Sequence, residues 1–193
     1  MTGLSHSKSR KGSVTARPAV QHLSIIKEND FWETPKDLLW SFFNKHQIFP
    51  RLDVCTTKSM AERHGFPRYF TRKQSALKQE WDEDFFMNCP YTRVAEWVAY
   101  AIEQVKKHGV NGVILSFSKT DTKWWHKYIE NNPKAEVHFV EGRIKFHING
   151  KPSKNSAPYP SCWIILRGTP WVKTFATVRN FASPMPNPEH AIQ

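Results

Sequence analysis

A strand, helix and strand in succession at the middle of the chain constrain the fold most. Residues 84–87 form a short apolar run of strand length. Beyond them Val94, Trp97, Val98, Ala101, Ile102 and Val105 recur at helical spacing. Lys106, Lys107 and His108 occupy the last turn of that helix, where cations meet the negative end of the backbone dipole, and Gly109 ends it. Residues 112–117 read as a second strand. The same alternation extends outward. Upstream, Thr34 as N-cap and Pro35 at the first helical position open a helix with Leu38, Leu39, Phe42 and Phe43 on one stripe. Residues 51–55 follow as a buried strand. From 56 to 81 the chain is polar and basic, predicting mostly loop with a strand near 68–70. Downstream come a helix over 121–131 and strands over 136–140, 144–148 and 162–166. Strands alternating with helices, then strands in sequence, predict an α/β sheet with a β-rich C-terminal finish.

Length and charge bound the rest. The 193 residues, 39% hydrophobic, fit one domain over 23–180. A basic, acid-free tail over 1–22 and a proline-bearing tail over 181–193 are expected to be disordered or flexible. The formal net charge of +11 suits a polyanionic partner, with Lys8, Arg10 and Lys11 of the tail placed to trail along phosphates. No apolar run reaches the length of a membrane span, and no signal peptide opens the chain, so a cytoplasmic protein is expected. Cys55, Cys89 and Cys162 are odd in number and form no CxxC pair; neither a disulfide framework nor a metal site is expected.

Asn88-Cys89-Pro90-Tyr91 ends the strand at 84–87, just before the helix. This run resembles the catalytic signature of S-adenosylmethionine-dependent amino methyltransferases. An exocyclic amine is a poor nucleophile because its lone pair is delocalised into the ring. Two acceptors, the Asn88 carboxamide oxygen and the Cys89 carbonyl, would draw that lone pair out of the ring plane towards an electrophilic methyl. Pro90 stiffens the turn and Tyr91 offers a face to a flipped base. A plain strand-to-helix turn with a satisfied asparagine accounts for the same letters. The pattern also recurs at Ser156-Ala157-Pro158-Tyr159, in a Gly-, Pro- and Lys-rich loop. Context makes the first the chemical copy and the second a loop near the site.

The order of several pieces adds to this. Trp32-x-Thr34-Pro35, Leu52-Asp53-Val54-Cys55, Trp81 and Asn88-x-Pro90-Tyr91 are followed by Thr120-Asp121-Thr122-x-Trp124-x-His126, Gly142-Arg143-Ile144-x-Phe146 and Ser156-Ala157-Pro158-x-Pro160-Ser161. Together, over about residues 30–167, these resemble the phage-type (Dam-like) DNA N6-adenine methyltransferases. The resemblance implies a Rossmann-like methyltransferase sheet with helices on both faces, S-adenosylmethionine as cofactor, adenine in double-stranded DNA as substrate and, for a phage-encoded chain, the cytoplasm of a bacterial host.

Carried over by position, Asn88, Cys89, Pro90 and Tyr91 would be catalytic. Trp32, Thr34, Pro35, Asp53, Cys55, Ser75 and Asn88 would line the cofactor, with Asp53 taking its ammonium group. Arg143 and Lys119 would face DNA. Cys89 stands where the family usually has a second proline, and Ser75 where many relatives carry an acidic residue. Rival roles stay open at several positions. Asp53 could pair with a nearby Arg or Lys, Arg143 could form an exposed ion pair, Asp121 could cap a helix, and Trp124 and Trp125 could belong to the core. Two rival mechanisms share these residues: amino methylation of cytosine, and a thiolate attack by Cys89 on a pyrimidine ring. A methyltransferase scaffold that binds DNA without turnover is the alternative from outside enzymology.

Overall fold

Strands β3 (Phe85–Met87) and β4 (Gly112–Phe117) pair in parallel, Phe86 opposite Val113, with helix α3 (Val94–His108) making the crossover between them. This is the unit expected from the sequence. The computed structural model describes residues 32–168 and builds a six-stranded sheet around it. Before it come α1 (Lys36–His46), β1 (Leu52–Thr56), α2 (Lys58–His64) and β2 (Arg68–Thr71). After it come the short α4 (Lys123–Trp125), β5 (Ala135–Phe139), a small hairpin of β6 (His147–Ile148) with β7 (Lys151–Pro152), and β8 (Ser161–Leu166). The order across the sheet is β2-β1-β3-β4-β8-β5; its first four strands are parallel, and β8 runs antiparallel to both β4 and β5. The chain steps from β1 outward to β2 and then returns to the other side of β1 as β3. Strand order therefore reverses between β1 and β3, and such a reversal leaves a crevice beyond the carboxyl ends of the two strands.

Alternate side chains bury opposite faces of the sheet. Leu52, Phe85, Met87, Ile114 and Ile164 pack with Trp97, Val98 and Ala101 of α3 and with Trp124 and Trp125. Phe86, Val113, Leu115, Trp163 and Ile165 pack with Leu39, Phe42 and Phe43 of α1 and Ala61 of α2. Helices thus cover both faces, which is why β4 and β8 are buried throughout. Both tryptophans of α4 take the core role.

Several local expectations are corrected. The polar stretch after β1 contains helix α2, with Thr57 Oγ1 accepting from the Met60 N–H and Gly65 ending it in a left-handed conformation. Only Ala61 and His64 of α2 are buried, too few to print a helical period in the sequence. The helix expected over 121–131 is a single α-turn running into a wider π-turn at His126–Glu130. Thr122, not Asp121, is its cap residue. Of the strand expected over 144–148 only His147–Ile148 pairs; Ile144 and Phe146 are instead buried against the α1 face of the sheet. Pro35 is itself the N-cap of α1, which leaves the Thr34 side chain free for another partner. The positions at 1–22 and 181–193, including Lys8, Arg10 and Lys11, lie outside the described residues.

Candidate active site

Asn88 follows β3 directly, at the crevice beside β1. Its carboxamide is held at both ends. Nδ2 donates to the Trp32 carbonyl at 3.1 Å and to Thr34 Oγ1 at 3.3 Å, while Oδ1 accepts from the Tyr91 hydroxyl at 3.2 Å. A backbone carbonyl can only accept, so the amide nitrogen must face Trp32 and the oxygen must face Tyr91. Thr34 thus binds the asparagine rather than capping α1. Pro90, at φ −55, leads into a 3-10 turn at Tyr91–Arg93 that carries the chain into α3. The Cys89 thiol is buried in the core on the α3 face, and that burial pushes it up to about 12. A thiol buried in this way is a poor nucleophile, which weighs against the thiolate mechanism.

Aromatic rings surround the asparagine. Tyr91 stacks on Phe117, the last residue of β4, with centroids 3.8 Å apart and planes 19° from parallel. Tyr159 meets the same Phe117 at 5.4 Å and 60°. Trp32 stacks on Phe146 at 5.0 Å and turns its edge to Phe117 at 6.4 Å. Burial holds the Tyr91 phenol well above its ordinary range, so it acts as a neutral hydrogen-bond donor. Lys119 places its ammonium 4.0 Å over the Tyr159 ring. Arg143 makes no ion pair among the described residues; its guanidinium donates to the Pro158 and Ala157 carbonyls and so ties the 142–146 segment to the loop bearing Tyr159.

Asp53 lies one strand away from Asn88. It is the second residue of β1, level with Phe86, and the β1–β3 pairing stops there. On the other side the β1–β2 register shifts between Asp53 and Thr56. The side chain is 2% exposed. Its carboxylate accepts from the Cys55 N–H at 3.1 Å and from Thr56, with no Arg or Lys paired to it among the described residues. Burial outweighs those two hydrogen bonds and pushes the carboxyl up to about 7. The ion-pair role weighed for Asp53 is therefore not the one the fold provides. Cys55 itself packs half-buried against the α3 face. Ser75 sits on the loop beyond β2 at φ +53, its carbonyl accepting from the Lys78 N–H.

Sequence reasoning passed over three residues that hold the Trp32–Thr34 segment. Glu33 is 3% exposed and receives two hydrogen bonds from Arg63, at 2.9 and 2.7 Å, and one from the Gly150 N–H at 3.0 Å. His64 Nε2 lies 2.9 Å from the Thr34 carbonyl. Burial opposes the Glu33 charge, yet the Arg63 guanidinium and the Gly150 N–H hold its carboxyl below the usual range. Nothing in the local sequence marks Glu33 beyond its place inside Trp32-x-Thr34-Pro35, and Arg63 and His64 lie 30 positions away on a helix that has no apolar period.

Residues 23–185 match a family model described as DNA N-6-adenine-methyltransferase (Dam). The chain belongs to that family. Comparison with curated proteins and with solved structures gave no match. The Dam match spans every residue of the geometry above, from Trp32 to Tyr159. Dam membership indicates a DNA N6-adenine methyltransferase, and hence DNA as partner. No helix among the described residues is long and apolar enough to cross a membrane. No group of three or more His, Cys, Asp or Glu side chains among them is placed to hold a metal ion.

Proposed function

We propose that the protein transfers a methyl group from S-adenosylmethionine to the N6 amine of adenine in duplex DNA, on a Rossmann-like sheet. The observation that carries this is the fixed carboxamide of Asn88 beside the strand-order reversal. With Nδ2 engaged by Trp32 and Thr34, the oxygen is the end left to accept from an amine, and its second lone pair is available beside the Tyr91 bond. The Cys89 carbonyl is the second acceptor in this scheme. Two acceptors on the amine protons turn the nitrogen lone pair out of the ring plane, and this positioning supplies most of the rate. Neither the Asn88 amide nor the Tyr91 phenol is a base at neutral pH, so the amine proton passes to water once the methylated nitrogen is cationic.

The residues present fit the cofactor. A buried carboxylate with no cation paired to it among the described residues, on the strand beside the crevice, suits the ammonium of an amino-acid moiety. Asp53 would take that group, Thr34 and Pro35 would lie against the ligand with Trp32, and Cys55 and Ser75 would line its remaining rim. When bound, S-adenosylmethionine supplies the sulfonium methyl as the electrophile. Around the base, Tyr91 keeps one face on Phe117 and has the other to offer, while Lys119 and Arg143 lie on the two loops that flank Tyr159. The net charge of +11 supports a phosphate backbone as the larger partner surface.

The test is a product assay. Unmethylated duplex DNA is incubated with protein and S-adenosylmethionine, hydrolysed, and its nucleosides identified by mass. N6-methyldeoxyadenosine is expected. A methylated cytosine would move the substrate while keeping the chemistry. No product, together with no thermal shift on adding S-adenosylmethionine, would refute the reading.

A further inference from the structure

The Asn88 carboxamide is oriented by two groups of one short segment, the Trp32 carbonyl and the Thr34 hydroxyl. That segment precedes α1 and belongs to no strand of the main sheet. Its position is set elsewhere. The Glu33 backbone exchanges two hydrogen bonds with His147 of the β6–β7 hairpin, at 2.9 and 2.8 Å. The Glu33 side chain turns away from Asn88 into the two-point grip of Arg63, and the Gly150 N–H at the hairpin turn donates to the same carboxylate. Gly150 has φ +77, and a Cβ there would stand 3.3 Å from Arg63 Cδ and Nε, so glycine lets the guanidinium lie against the turn. His64, also on α2, completes the anchorage. Its Nε2 must carry the proton, since the Thr34 carbonyl can only accept.

We infer that Glu33 and Arg63 are positioning residues for the methyl-transfer step, acting on Asn88 through the Trp32 carbonyl and the Thr34 hydroxyl. This rests on Asn88 being the acceptor for the target amine. Helix α2 and the β6–β7 hairpin share the Glu33 carboxylate as a joint, so the orientation of the catalytic amide depends on an ion pair made outside the pocket. A carboxylate this deeply buried keeps its charge only while its partners are in place. Losing Arg63 leaves Glu33 with the Gly150 N–H and the edge of His64, 3.5 Å away, and the segment must shift to hydrate it. A displacement of a few tenths of an ångström at the Trp32 carbonyl is enough to turn the amide from its aim.

Arg63 is 38% exposed at its side chain, so its replacement removes little core packing. The full-length protein carrying Arg63→Ala is compared with Arg63→Lys, which keeps the charge without the two-point grip, and with Glu33→Gln. In each, kcat is expected to fall by roughly tenfold or more, with KM for DNA within about twofold of the wild type. In an Asn88→Ala background Arg63→Ala should cost nothing further, because residues acting as one unit are not additive. A readout free of turnover is the pair of Asn88 side-chain amide protons in a nitrogen-15 spectrum. They should be distinct and slow to exchange in the wild type, and should move towards free-asparagine positions in Arg63→Ala. A raised KM for DNA with a shallower salt dependence would make Arg63 a phosphate contact and overturn the inference. Unchanged Asn88 amide signals in the variants would overturn it as well. If the wild type methylates nothing, the assigned reaction fails, while the amide signals still decide whether Arg63 controls Asn88.

Discussion

Two four-residue stretches carry the same pattern, and both tyrosines end against Phe117. Tyr91 lies flat on that ring at 3.8 Å; Tyr159 meets it obliquely at 5.4 Å with Lys119 on its own face. The difference lies in what precedes each tyrosine. Asn88 leaves the end of a parallel strand, and its side chain is gripped by a distant segment while its backbone turns into α3. Ser156 is exposed in a loop, and there the backbone does the work. The Ala157 N–H donates to the Ile144 carbonyl, and the Ala157 and Pro158 carbonyls accept from Arg143. One copy presents a side chain for chemistry; the other uses peptide groups to set a wall. A short pattern therefore takes its role from the element it terminates.

The largest contrast should come from truncating the first residue of each copy. Asn88→Ala is expected to lower kcat by about a hundred- to a thousand-fold, as the loss of a preorganised polar partner does, whereas Ser156→Ala should stay within about twofold of the wild type, both read as single-turnover methylation rates. Equal effects would show that the two stretches are not distinguished by their context. Next in size are the tyrosines. Tyr91→Ala should cut kcat by about tenfold or more, and Tyr91→Phe less, since it removes only the hydroxyl that holds Asn88 Oδ1. Tyr159→Ala should act chiefly on KM for DNA.

A third outcome concerns Asp53, which flanks the first copy only. Burial raises its carboxyl from the ordinary 3.8 to about 7. The folded protein thus holds a proton that the unfolded chain has lost. The associated stability is fully present below the ordinary value and is lost as pH rises through about 7. A cationic ligand needs the carboxylate, so affinity for S-adenosylmethionine should climb from pH 5 to pH 7, by up to about tenfold per unit, and Asp53→Asn should flatten the profile. A profile in the wild type that is already flat, by calorimetry, would remove Asp53 from the ammonium site. The smallest effects belong to Cys89 and Lys119. Cys89→Ala should leave turnover within about threefold, because a thiol near 12 is no nucleophile. Lys119→Ala should reduce the salt slope of DNA binding by about one unit, if its ammonium reaches a phosphate.

The sequence by itself determined the central strand-helix-strand unit, the buried strands on either side of it and the place of Asn88 at a strand end. Each of these is written locally, as an apolar run or a 3.6-residue period, because burial on one or two faces selects residue type position by position. Helix α2 and the π-turn at His126–Glu130 were not legible, since the first exposes most of its residues and the second breaks the period that would announce it. Tertiary structure alone decided the partners of the site. It set Thr34 against Asn88 across 54 positions and Arg63 against Glu33 across 30, and it buried Asp53 with no cation paired to it among the described residues. Those are polar contacts between segments far apart in the chain. No local periodicity encodes them, because the direction of a hydrogen bond and the loss of water around a carboxylate exist only once the sheet has brought the segments together.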